Sequence, residues 1–132
     1  MSFFSIFKQP KIKPSYKALD WSEKAAVSQR WKEIVKLFQL GGPSNFRQAI
    51  LEADKLIGFI LKKMEFSGDT LGNRLKSAEG YFSQKVYQGL WEAHKIRNRL
   101  VHEIDNEILH YEAKEAIEKF KKALEELKII KG

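Results

Sequence analysis

The sequence predicts an all-α protein: four long helices plus one short connecting helix. Three observations carry this. Apolar residues recur at steps of three and four along most of the stretch 20–128. No segment shows the strict alternation of a half-buried strand. Glycine and proline gather between the periodic stretches, where they punctuate a helical chain. At 132 residues the chain has the length of one domain and can bury a sizeable core without covalent staples. Residues 1–19 read as a basic, aromatic arm, and residues 20–132 as the helical domain.

In the arm, Phe3, Phe4, Ile6 and Phe7 precede "KQPKIKP", whose prolines and lysines resist regular structure. The expectation is an arm packing its phenylalanines on the domain. The rival is a short anchor touching RNA or an anionic membrane, and membrane contact is the less favoured.

The first helix is expected to begin at Asp20, which has the spacing of a capping box with Glu23. Trp21, Ala25, Ser28, Trp31, Val35 and Phe38 then define its expected buried face. Gly41 and Gly42 end it, and Ser44 is placed to cap the next helix. That second helix carries an apolar stripe from Phe46 through Ala49, Ile50, Ala53, Ile57 and Leu61 to Met64. Asp54 and Lys55, in its middle, are expected on the solvated side. A segment interrupted by Gly68, Gly72 and Gly80 holds one short helix around Leu71 and Leu75. The third long helix spans "QKVYQGLWEAHKIRNRLVHE", with Val86, Tyr87, Leu90, Trp91, Ala93 and Val101 apolar. The last runs from about Asn106 to Lys128 on a stripe of Leu109, Ala113, Ala116, Ile117, Phe120, Leu124 and Leu127.

Composition narrows the partners. The formal charge is +7, an excess that favours polyanions, nucleic acid before membrane. There is no cysteine, so neither disulfides nor thiolate metal sites are open to the chain, which fits a cytoplasmic location. No apolar run reaches the length of a membrane span, and the N-terminus lacks the pattern of a signal peptide.

The candidate site is "HKIRNRLVHE", His94 to Glu103, which holds two of the chain's three histidines. On a helix His94, Asn98 and His102 form one ladder of neighbours, whereas Arg97 lies about 140° from His102. RNA brings its own nucleophile, the 2′-hydroxyl. Its cleavage needs a base, an acid and positive charge on the phosphorane. Histidine serves either proton role near neutrality, and the forked guanidinium suits a phosphate. His94 and His102 lie on one ladder and could be read as a metal pair, but they stand eight residues apart with Asn98 between them, and there is no HExxH pattern; no metal and no cofactor are expected. The bland alternative is a set of cations that merely complement the C-terminal end of a helix dipole.

"RNRLVH", Arg97 to His102, resembles the signature of the HEPN superfamily: arginine, a polar residue, a short spacer and histidine near a helix end. "AILEADKLIGFILKKM" looks like the corresponding second helix, and the likeness extends over roughly residues 20–128. The resemblance implies a HEPN-like bundle acting as a homodimer, with a composite site at the interface and metal-independent endoribonuclease activity on RNA. It makes Arg97 the phosphate holder, Asn98 its assistant and His102 the acid or base. His94 and Arg99 are flanking candidates for substrate binding. An antitoxin or another protein partner is also implied, although Ile104 stands where toxin members often carry a tyrosine. The alternative implied function is a non-catalytic module binding nucleic acid or protein.

Overall fold

The computed structural model describes residues 16–103 and 107–132. The expectations for the arm before Tyr16, for Ile104 and for a helix start at Asn106 fall outside the described residues. Within them the chain forms α1 (Trp21–Leu40), α2 (Pro43–Lys63), α3 (Leu71–Ser77), α4 (Gln84–His102) and α5 (His110–Glu126), with a 3₁₀ turn at Glu79–Tyr81 before α4. No strand occurs among the described residues.

The start of α1 follows the local chemistry. The Asp20 carboxylate accepts from the Glu23 N–H at 2.7 Å, and Glu23 accepts in return from the Asp20 N–H at 3.0 Å. Its buried face is narrower than the sequence suggests: Val27, Trp31 and Ile34 are buried, while Ala25 is exposed and Trp21 is 82% exposed. A residue in the first turn can match the helical period and still lie beyond the end of the neighbouring helix. The start of α2 also differs. Gly42, not Ser44, occupies the N-cap, and Pro43 opens the helix. Proline suits that first position because its missing N–H would have no helical partner there. Gly41 and Gly42 have φ of 77° and 90°, a region that favours glycine, so the sharp reversal between α1 and α2 needs both.

Pairs across the helices run in opposite chain order. Arg30 meets Glu52 while Lys63 meets Glu23, so α1 and α2 are antiparallel. Arg47 meets Leu100 while Asp54 meets His94, so α2 and α4 are antiparallel. Arg99 meets Glu112 while Glu92 meets Lys119, which gives the same for α4 and α5. The result is an up-down-up-down bundle, with α3 carried on the crossover between α2 and α4. Ile50, Ile57, Ile60 and Leu61 of α2 and Phe120 and Leu124 of α5 fill the centre. Burying such side chains contributes roughly 1.5–3 kcal/mol each.

The short lead-in belongs to the domain. Leu19 is buried, Tyr16 stacks on Phe66 and meets Tyr81 edge-on, and the Lys17 N–H donates to the Met64 carbonyl at 2.8 Å. The residues singled out in the sequence lie at the opposite end. There Phe38, Phe46 and His110 make a ring cluster beside the last turn of α4. Arg47 donates to the Leu100 carbonyl and so satisfies one of the acceptors that every helix leaves free at its C-terminus.

Candidate functional site

Helix α4 starts because Ser83 accepts from the Val86 N–H at 3.4 Å. It is anchored along its α5 side by close packing at Gly89, where a Cβ would stand 3.3 Å from Cγ of Lys119. With that side committed to α5, the residues at 94 and 97 turn toward α2, and those at 98 and 102 turn outward.

The α2 side holds a polar cluster. Asp54 is buried, with a side chain only 5% exposed, and its carboxylate faces α4. This overturns the expectation of a solvated Asp54. Period alone places it at the edge of the apolar stripe, and the partners that keep it buried lie forty and more residues along the chain. Oδ1 of Asp54 lies 2.9 Å from Nδ1 of His94. A carboxylate only accepts, so Nδ1 carries the proton and donates it. Oδ2 of the same carboxylate lies 3.4 Å from Nε of Arg97. Nη1 of Arg97 then donates to Oδ1 of Asn98 at 3.0 Å. The Arg97 side chain is 37% exposed, so the guanidinium is held from behind while part of it stays open to solvent.

The other candidates separate from this cluster. His94 is buried, its ring edge-on to Trp91 and its Nε2 toward Gly72 of α3. It faces inward rather than toward an incoming substrate. Arg99 points to the opposite flank and forms a two-pronged pair with Glu112 of α5, at 3.0 and 3.2 Å. The hydrogen bond from Arg99 holds the Glu112 carboxyl below its usual range, and the same bond raises Arg99. Glu112 also accepts from the Leu109 N–H at 3.3 Å, at the start of α5. Arg99 therefore ties α4 to α5, and its charge is already answered within the chain. His102 closes the last turn of α4, exposed and without a hydrogen bond, ion pair or ring contact among the described residues.

The ladder read from the sequence thus splits into three. His94 is drawn inward, Asn98 is engaged by its neighbour Arg97, and His102 is exposed with no partner among the described residues. Arg97 and His102 share a helix end but face different ways, as their spacing requires. Val101, next to His102 in the chain, is 40% exposed, and Leu109, which the sequence places on the stripe of the last helix, is 57% exposed. Each sits where a helix ends, so no neighbouring helix covers it.

Among the described residues no three His, Asp or Glu side chains cluster so as to hold a metal ion, and no helix is long and apolar enough to cross a membrane. Comparison with protein-family models, with curated proteins and with solved structures finds no match to the chain.

Proposed function

We propose that this domain binds RNA and cleaves it without a metal ion, using Arg97, Asn98 and His102 of two copies facing each other across a two-fold axis. The observation that carries this reading is the state of Arg97. Its guanidinium is oriented by Asp54 and Asn98 yet remains partly open, as a phosphate clamp must be. His102, five residues on, is an exposed histidine with no partner among the described residues, open to proton transfer. The angle of about 140° between them argues against one helix bringing both to a single phosphate. A second copy related by a two-fold axis removes the difficulty: Arg97 and Asn98 of one copy would work with His102 of the other. The net charge of +7 supplies the attraction for a polyanion. The HEPN resemblance of "RNRLVH" agrees with this assignment.

The test is cleavage of a single-stranded RNA in EDTA. The expected products carry a 2′,3′-cyclic phosphate and a 5′-hydroxyl, and a substrate with 2′-deoxyribose at the cut survives because the nucleophile is missing. His102→Ala abolishes cleavage and leaves RNA affinity within a few-fold. Arg97→Ala weakens both. Loss of activity on chelation would sink the metal-free mechanism.

A second reading has its own support. Within one chain, no contact joins His102 to Arg97 among the described residues, so a protein that stays monomeric has a phosphate holder without its proton carrier. Tight RNA binding by a monomer, with no cut in any sequence, makes the domain a binding module.

A further inference from the structure

The buried pair beneath Arg97 has no part in the reaction outlined above. Asp54 and His94 are the only polar or charged residues among the described ones to be counted with the buried core, and they bond to each other. Burying a carboxylate and an imidazole is costly unless both are satisfied. A well-packed apolar pair at the same place would hold the helices together at least as firmly. Their geometry suggests what they do instead.

We infer that Asp54 and His94 are positioning residues that hold the Arg97 guanidinium at the surface for an anion; this rests on the reading of Arg97 as the phosphate clamp. The carboxylate has two oxygens and divides them. The bond from His94 Nδ1–H to Oδ1, 2.9 Å, fixes how the carboxylate is turned, so that Oδ2 alone meets Arg97, through Nε at 3.4 Å. Contact through Nε leaves the outer edge of the guanidinium unused by Asp54. Asn98 takes one donor from Nη1, and Nη2 makes no hydrogen bond among the described residues. Without the bond from His94 the carboxylate would be free to turn and face the guanidinium with both oxygens. A two-pronged pair would then form and draw Arg97 inward, as Arg99 is drawn onto Glu112. In this account His94 acts through Nδ1 alone. Nε2, which faces Gly72, has no chemical task.

That last point makes the test selective. Asparagine at position 94 places its amide nitrogen where Nδ1 stands, whereas glutamine places its amide nitrogen near Nε2. The probe is a mixed-sequence single-stranded oligonucleotide with 2′-O-methyl riboses, which cannot be cleaved, and a nitrogen-15 NMR spectrum reports the Arg97 Nε–H. His94→Asn is expected to keep both the Nε–H signal and the affinity of the wild type. His94→Leu and Asp54→Asn are expected to shift or broaden the signal and to weaken binding about tenfold. Neither should weaken binding further when added to Arg97→Ala, because they act through that side chain. Thermal melts check the fold, and His94→Asn keeps the test open should the leucine variant fail to fold. The inference is overturned if His94→Asn loses as much affinity as His94→Leu, or if His94→Leu and Asp54→Asn leave signal and affinity untouched. If the signal follows the expected order but Arg97→Ala binds the probe as wild type does, the relay stands and the RNA reading of the site fails.

Discussion

Arg97 and Arg99 are two residues apart on one helix and have opposite fates. Arg99 lies against α5 and gives both guanidinium prongs to Glu112. Arg97 lies against α2, meets a carboxylate whose orientation is held by His94, and keeps part of its surface open. The same side chain is a brace in one place and a candidate clamp in the other. What distinguishes them is how the opposing carboxylate is turned: Glu112 faces Arg99 with both oxygens, whereas Asp54, bonded to His94 through Oδ1, meets Arg97 with Oδ2 alone.

The sharpest way to break this contrast is to delete each carboxylate in turn. Asp54→Ala strands the buried Nδ1–H of His94, and an orphaned buried donor costs about 1–3 kcal/mol. Arg97 is open enough to turn to water and adds little. Glu112→Ala removes a partly exposed pair, for which about 1 kcal/mol is expected. Urea unfolding should therefore rank Asp54→Ala as the more damaging change, and the reverse order would mean that the buried cluster is poorly formed.

Acid separates the two flanks next. The Glu112 carboxyl is lowered in the folded protein by the Arg99 hydrogen bond. A depressed folded pKa adds stability above the unfolded value, near 4.5, and that stability is lost as pH falls through the lower folded value. Melting temperatures recorded downward from pH 6 should fall below about pH 4.5. Glu112→Gln, which has no charge to lose, should start lower and fall less steeply. Parallel curves would remove Glu112 from the acid response.

The smallest expected effect concerns Gly72. A Cβ there would meet Trp91 at 3.6 Å and Nε2 of His94 at 4.0 Å, both ordinary contacts. Gly72→Ala should stabilise the fold by about half a kcal/mol through reduced freedom of the unfolded chain. It should leave RNA affinity and cleavage unchanged, since it covers an atom with no assigned task. A clear loss of cleavage with intact folding would make Nε2 of His94 a participant.

The helix pattern was legible because helix formation and burial leave a local mark. The stripe of α2, the Asp20–Glu23 box and the glycine break after Leu40 each reflect chemistry within a few residues. The same local rules overreached at helix ends. Trp21 and Leu109 fit the period but are exposed, since only a neighbouring element decides whether a face is covered.

The candidate site was legible only in part. The residue types and spacing of "RNRLVH" mark it, and the helical angle already parts Arg97 from His102. Nothing nearby in sequence marks Asp54 as a partner of His94 and Arg97, or Glu112 as the partner of Arg99. Those assignments depend on which flank of α4 meets which helix. The sequence by itself determined the all-α class, the order of the helices and the chemistry offered by the end of α4. Only the tertiary structure decided which histidine is buried, which arginine is held and which is left open. Helical periodicity acts over a turn or two, whereas a carboxylate finds its cation across a bundle only after the chain has folded.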